Sequence, residues 1–183
     1  LSQEMLWIAA QKARKQGLGL PFIQQDMRKL HLHRQMDAVL ATCDGVNYLL
    51  TDEDVCAFFR AAYAAMRPGG VLIFDISTPW KLENVLGNEM IVEDREDVTY
   101  MWQNSFSKRT GICEMALCFF LREKDGRYRR IDETQKQRAH SHENLTAMLL
   151  SCGFTDVRLY GNSRMEAPRD KEQRWHLVAR KPE

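Results

Sequence analysis

The sequence lacks an excess of charge of either sign. Its 183 residues include 26 lysines and arginines against 25 aspartates and glutamates, so the formal net charge is +1. Domains dedicated to nucleic acids usually carry a strong basic excess, and we therefore expect no nucleic-acid partner. A long apolar run is also missing, because the most apolar helical stretch, VCAFFRAAYAAM, is short and contains Arg60. We expect no membrane partner either.

Paired redox and metal motifs are also missing. None of the five cysteines forms a C-x-x-C pair and their number is odd, which predicts reduced thiols in a cytoplasmic protein. Two H-x-H pairs occur, His31 with His33 and His140 with His142. Neither pair has a cysteine or carboxylate at ligand spacing, so we predict no metal site.

Helices and strands alternate along the first half of the chain. An amphipathic helix is predicted over residues 2–16, with Met5 and Ile8 on its apolar face. LPFIQQD predicts a short strand that ends at Asp26, and DAVLATCD and VLIFDI predict strands buried on both faces. Thr51 opens the helix between the last two strands with a capping box. The alternation predicts a layered α/β sheet.

The second half of the chain changes in pattern. A short helix is predicted around WKLENVL, and three strand-like segments with alternating side chains follow it. The Asp-Gly pair in KDGR predicts a hairpin between the last two of these segments. A helix capped by Ser141 and two strands, FTDVRLY and RWHLVARK, come last. We therefore predict an antiparallel β insertion after the VLIFDI strand.

Three of the predicted strands end in polar residues. These residues are Asp26, the pair Cys43 and Asp44, and the segment from Asp75 to Ser77. Ligands of open α/β sheets bind beyond the carboxyl ends of the strands. The sequence therefore places its candidate ligand site at these strand ends.

Five stretches in this order resemble a class I S-adenosylmethionine-dependent methyltransferase of the small-molecule type. They are LSQEML, QQDMRKL, DAVLATCDGVNYLL, RPGGVLIFDI and SCGFTDVRLYG with RWHLVARK. The resemblance implies a Rossmann-like layered sheet formed by residues 1–88 and 140–183. It also implies that residues 89–139, the antiparallel insertion, cover the substrate site. The implied cofactor is S-adenosylmethionine and the implied partner is a small-molecule methyl acceptor.

The glycine-rich turn that follows the first strand in this family is missing. Gly17 and Gly19 follow a helix and precede a strand, which is the wrong context for that turn. The chain also opens directly on the helix of LSQEMLWIAA. We therefore expect that the first strands of the family fold are absent from these 183 residues. We further expect that the remaining strands cannot form one continuous sheet without rearrangement.

The resemblance implies specific cofactor contacts. Asp26 would accept a hydrogen bond from the adenine amine, and the Met27 amide would reach a ring nitrogen. A carboxylate suits this role because its ionised form only accepts hydrogen bonds. Cys43 and Asp44 would run beside the methionine part of the cofactor. The remaining residues of this set would line the adenine and ribose; they are Leu1, Ser2 and Met5.

The candidates for the acceptor site are polar and aromatic residues near the strand ends and in the insertion. For each aromatic residue, packing in the core or sheet is the competing interpretation. The candidate residues are Asn47, Tyr48, Trp80, Tyr100, Trp102 and His140.

Three functions compete at this point. The first is methyl transfer to a small-molecule acceptor. The second is an interaction or oligomerisation subunit without catalysis, completed by a partner or by a second copy in a homodimer. The third is a nicotinamide-dependent α/β enzyme, which is disfavoured because nothing in the chain resembles a dehydrogenase half.

Overall fold

The computed structural model describes residues 2–183, which form three α-helices and eight β-strands. The helices are α1 (Gln3–Lys15), α2 (Asp52–Ala65) and α3 (His142–Ser151). The strands are β1 (Met36–Ala41), β2 (Met66–Ser77), β3 (Met90–Asp94), β4 (Val98–Ser107), β5 (Ile112–Arg122), β6 (Tyr128–Arg138), β7 (Thr155–Tyr160) and β8 (Arg174–Arg180). None of the helices in this part of the chain is long and apolar enough to span a bilayer.

Three shorter helical segments connect these elements. A 3₁₀ turn at Met27–Lys29 precedes β1, and a second one at Gly45–Tyr48 follows it. A π-helical segment at Lys81–Leu86 follows β2. The second turn and the π-helical segment both lie just beyond the ends of strands, where the candidate ligand site was predicted.

The first sheet has the strand order β1-β2-β8-β7. β1 and β2 are parallel, and the other two pairs are antiparallel. One face of this sheet packs on α2 and α3, because the alternate residues of β2 are apolar and fully buried. The α/β layered fold is thus confirmed. The largest buried side chains of this core are Phe58, Phe59, Phe74, Phe154, Met66, Leu72 and Ile76.

Local signals explain why α2 begins where it does. The Thr51 hydroxyl accepts a hydrogen bond from the Asp54 backbone N–H at 3.1 Å. Asp52, Glu53 and Asp54 all lie in the first turn, where negative charge is favoured by the helix dipole. The N-cap predicted at Thr51 is therefore present, whereas the Asp54 carboxylate pairs with Arg28 instead of closing the capping box. The cap sets the start of the helix that supports β1 and β2.

The second sheet is an antiparallel meander with the order β3-β4-β5-β6. The turn between β5 and β6 contains Asp125 and Gly126, and Gly126 has a φ of 84° that favours glycine. In the register of the sheet, Trp102 pairs with Leu117, and Met115 pairs with Gln135. These residues share one face of the sheet, and that face turns towards the π-helical segment.

The N-terminal segment differs from its prediction in two respects. Residues 18–26 contain no strand, and Leu20 and Ile23 are 58% and 56% exposed. Helix α1 forms as predicted, but Met5 is 72% exposed and the apolar face does not pack on the core. A strand needs a hydrogen-bonded neighbour, and no strand of the described residues lies beside this segment.

The predicted strands do not all join one sheet, in agreement with the expectation that this would require rearrangement. β1, β2, β8 and β7 form one continuous sheet, with β1 at its edge because the predicted LPFIQQD strand does not join. The prediction that β1 is buried on both faces fails for the same reason. Leu40 points away from the helices and is 65% exposed.

Substitutions on opposite faces of the first sheet allow a direct test of this packing. We expect Leu72→Ala to lower the free energy of unfolding by about 2–5 kcal/mol, because Leu72 is fully buried and truncation leaves a cavity. The matched variant Leu40→Ala should change it by less than about 0.5 kcal/mol. Urea unfolding of both variants measures the difference, and equal losses would contradict the placement of β1 at an open edge.

Candidate functional site

A buried asparagine joins the strand ends at the candidate site. The Asn47 side chain accepts a hydrogen bond from the Ser77 backbone N–H at 2.9 Å. Its amide donates to the Ser77 and Arg138 carbonyls, at 3.0 Å each. Asn47 is fully buried. The turn after β1 is therefore fixed to the end of β2 in the first sheet and to the end of β6 in the second.

The backbone turns sharply between β1 and Asn47. Cys43 and Asp44 both have left-handed conformations, with φ values of 62° and 60°. Such values are uncommon outside glycine and are often found next to functional sites. Arg174, at the start of β8, forms ion pairs with Asp44, at 2.7 Å, and with Asp75. One guanidinium therefore bridges the two carboxylates at the ends of β1 and β2, and the three groups together keep one negative charge.

A cleft of about 330 Å³ opens at this end of β1. We call it the strand-end cleft. It contains Cys43 and Asp44, two of the residues predicted to contact the cofactor, and Cys43 is exposed. The residues that line it are Thr42, Cys43, Asp44, Ile73, Phe74, Asp75, Arg174 and His176.

A second cleft, of about 170 Å³, lies between the two sheets. We call it the inter-sheet cleft. Among the predicted site residues it brings together Asp44, Tyr48 and Trp102, and the Tyr48 hydroxyl donates to Gln135 at 2.7 Å. The full lining is Asp44, Tyr48, Ser77, Lys81, Leu86, Trp102, Met115, Leu117, Gln135 and Gln137.

Three polar residues of this lining were not predicted from the sequence, nor were its apolar residues Leu86, Met115 and Leu117. Lys81, Gln135 and Gln137 come from the π-helical segment and from β6. Gln135 and Gln137 stand two residues apart on a strand and so share a face, which is the one signal that could have found them. Lys81 follows a polar strand end by a few residues, a position that no local pattern distinguishes from a surface lysine.

Asp26 lies in the 3₁₀ turn before β1 and lines neither cleft. Its carboxylate accepts hydrogen bonds from the Arg28 backbone N–H at 2.9 Å and from the Arg28 guanidinium. These hydrogen bonds lower the pKa of Asp26 to about 2, so the carboxylate is ionised at neutral pH. Arg28 also reaches Asp54 at 2.8 Å, and Met27 packs against the core.

The other predicted residues lie outside both clefts. Ser2 caps α1 by accepting from the Met5 backbone N–H at 3.2 Å, and Leu1 lies outside the described residues. Trp80 is half-buried at the start of the π-helical segment. The Tyr100 hydroxyl donates to Glu93, which raises the pKa of Tyr100.

His140 is buried at the junction between β6 and α3. Burial lowers its pKa to about 4, and the nearby charge of Arg138 acts in the same direction. Hydrogen bonds with the backbone of Leu49 and Val46 oppose that shift. The Nε2 atom has no hydrogen-bond partner among residues 2–183. The ring is therefore neutral at pH 7. His140 does not line the inter-sheet cleft.

The buried neutral imidazole predicts a dependence of stability on pH. The unfolded chain binds a proton near the ordinary pKa of 6.5, whereas folded His140 does so only near 4. Its contribution is therefore complete above about pH 6.5 and should fall by roughly 3 kcal/mol as the pH drops to 4. Unfolding in urea across this range measures the loss. His140→Gln should flatten the profile, whereas the exposed control His33→Gln should not; equal profiles in all three proteins would contradict the assignment.

Comparisons with known proteins agree with the fold. Residues 1–70 match the protein family described as "Methyltransferase domain". The chain is 33% identical over 182 residues to "Putative methyltransferase YqeM" of Bacillus subtilis (strain 168), covering 99% of this chain and 73% of that protein. A second protein of the same description, from Geobacillus sp. (strain WCH70), is 31% identical over 181 residues, with the same coverage of both chains.

A solved structure of a methyltransferase is also similar to this chain, in both sequence and fold. The crystal structure of an S-adenosylmethionine-dependent methyltransferase from Clostridium acetobutylicum is 30% identical to this chain. It superimposes with a TM-score of 0.91, over 100% of this chain and 73% of that one. The similarity in sequence extends over nearly the whole chain and includes both sheets. The chain therefore belongs to the class I S-adenosylmethionine-dependent methyltransferases.

Proposed function

We propose that this protein transfers a methyl group from S-adenosylmethionine to a small-molecule acceptor, with the cofactor at the strand-end cleft and the acceptor in the inter-sheet cleft. The observation that carries this proposal is that Asp44 lines both clefts. Transfer between two bound molecules requires that their sites adjoin, because the reacting atoms must be held close together and in line. The two clefts meet at one residue and provide that adjacency.

The residues present fit part of the cofactor. S-adenosylmethionine supplies an activated methyl group when it is bound. The ionised carboxylate of Asp26 can accept a hydrogen bond from an exocyclic amine. The exposed Cys43 presents a polarisable sulfur at the end of β1. Ser2 and Met5 lie on the exposed helix α1 and line neither cleft, so the described residues provide one side of the cofactor site.

The antiparallel sheet provides the cover of the acceptor site. Trp102, Met115 and Leu117 come from β4 and β5, and Gln135 and Gln137 come from β6. This contribution supports the division into a core of residues 1–88 and 140–183 and an insertion of residues 89–139. An apolar wall from the insertion would exclude water from the acceptor.

The open edge of β1 supports completion of the first sheet by strands that lie outside these 183 residues. An unpaired strand edge is a template for further pairing, and the exposed Leu40, Leu20 and Ile23 add apolar surface. A homodimer that pairs at the same edge is the alternative. A monomer mass in light scattering would exclude the homodimer.

The hypothesis of an interaction subunit without catalysis is not favoured, because the relatives carry methyltransferase names. We also infer a cytoplasmic location, which is supported by the five unpaired cysteines.

A substitution at Asp26 tests the cofactor-binding part of the proposal. We expect Asp26→Ala to weaken binding of S-adenosylhomocysteine by about tenfold or more, because hydrogen bonds to charged groups are the stronger ones. Isothermal titration calorimetry measures this affinity. Asp125→Ala is the matched control, because Asp125 accepts from the backbone and guanidinium of Arg127 as Asp26 does from Arg28. The absence of any heat with the unaltered chain, or equal affinities for the two variants, would overturn the assignment.

A further inference from the structure

The inter-sheet cleft contains a lysine without a carboxylate partner. Lys81 lines the cleft, and its ammonium donates to the Ser77 hydroxyl at 3.0 Å. It forms no salt bridge with any carboxylate of residues 2–183. The other charged residue of the lining is Asp44, whose carboxylate is already paired with Arg174 at 2.7 Å. Lys81 is therefore the charged group of this lining that has no ion-pair partner among residues 2–183.

The position of Lys81 is set by its neighbours. The Thr78 hydroxyl accepts from the Lys81 backbone N–H at 3.1 Å and donates to the Glu172 carbonyl at 2.6 Å. Thr78 is fully buried, so the start of the π-helical segment is tied to the segment before β8. The lysine consequently leaves a fixed point of the backbone and is half-buried beside the end of β2.

A second polar group of the lining is also without a partner. Trp102 is half-buried, and its indole N–H has no hydrogen-bond partner in the described chain. Indole nitrogen can only donate a hydrogen bond, and a buried donor without an acceptor costs free energy. Leu86, Met115 and Leu117 are the apolar aliphatic residues of the same lining. A single ligand with an anionic end and an apolar body would satisfy these features.

We propose that the methyl acceptor is a small monocarboxylate whose oxygens pair with Lys81 and accept from the Trp102 indole N–H, and whose apolar body lies against Met115 and Leu117. This inference rests on the proposed function, because it names the class of molecule that the acceptor cleft takes. The cleft volume of about 170 Å³ corresponds to about six water molecules in the liquid, which suits a ligand the size of a benzoate.

A carboxylate fits this cleft better than a phosphate. A phosphate group carries about −1.5 to −2 charges and is commonly held by arginine in bidentate pairs. The lining contains one lysine and no arginine. A single ammonium matches the single charge of a carboxylate.

The test compares two probes that differ in charge and have nearly the same shape. Titration of the protein with 4-fluorobenzoate and with 4-fluorobenzamide is followed by fluorine NMR. We expect 4-fluorobenzoate to bind about tenfold more tightly or better, since a charged hydrogen bond is lost with the amide. Lys81→Met should abolish this preference and Lys81→Arg should retain it. Lys108→Met is the control, because Lys108 is an exposed lysine paired with Glu83 outside the cleft.

Each result supports or overturns the inference. Equal affinity for the two probes, no saturable shift with 4-fluorobenzoate, or an unchanged preference in Lys81→Met would overturn it. Displacement of 4-fluorobenzoate by inorganic phosphate more readily than by acetate would overturn the choice of a carboxylate. Calorimetry with S-adenosylhomocysteine on the same samples separates the two proposals. Loss of the carboxylate preference with intact cofactor binding refutes only this inference, whereas failure of the unaltered chain to bind the cofactor product refutes the proposed function.

Discussion

The hydrogen bonds of the buried Asn47 side chain connect the parts of the molecule on which the site depends. Its amide joins the turn after β1 to the Ser77 backbone in the first sheet and to the Arg138 carbonyl at the end of β6 in the second. Both clefts border on these strand ends. Because Asn47 is buried, its loss would leave backbone groups without hydrogen-bond partners away from water, and this would cost free energy. Asn47 is therefore a buried link between the two sheets at the site, beside the more exposed hydrogen bond from Tyr48 to Gln135.

The charges around this junction are distributed unevenly. Arg174 pairs with both Asp44 and Asp75, so the strand ends of the first sheet hold two carboxylates and one guanidinium. Lys81 has only a neutral hydroxyl partner, Ser77. The strand-end cleft therefore has a net negative charge, whereas the inter-sheet cleft contains a lysine without an ion pair. This difference is consistent with the proposed assignment of the cofactor to the first cleft and of an anionic acceptor to the second.

The parts of the fold that were predictable are those with strong local signals. The N-cap at Thr51, the apolar period of α2 and the Asp-Gly turn at Asp125 act within a few residues, and all three are found in the structure. The strand predicted to end at Asp26 does not form, because a strand depends on a neighbouring strand that local sequence does not specify. The acceptor cleft was only partly predictable for a related reason. Its lining comes from the two turns beyond the strand ends and from three strands of the insertion, and residues such as Lys81 gain meaning only when those elements meet.

The two sides of the site differ in how completely the described chain builds them. The inter-sheet cleft has walls from the first sheet, the π-helical segment and the antiparallel sheet, and Asn47 fixes these walls to one another. The cofactor side instead borders on the open edge of β1, with the exposed residues of α1 and of the segment 18–26 nearby in sequence. An acceptor cleft with its own rigid frame does not need an ordered cofactor side in order to form. Under the proposed assignment, recognition of the acceptor and binding of the cofactor are therefore separable, and the two clefts join at Asp44.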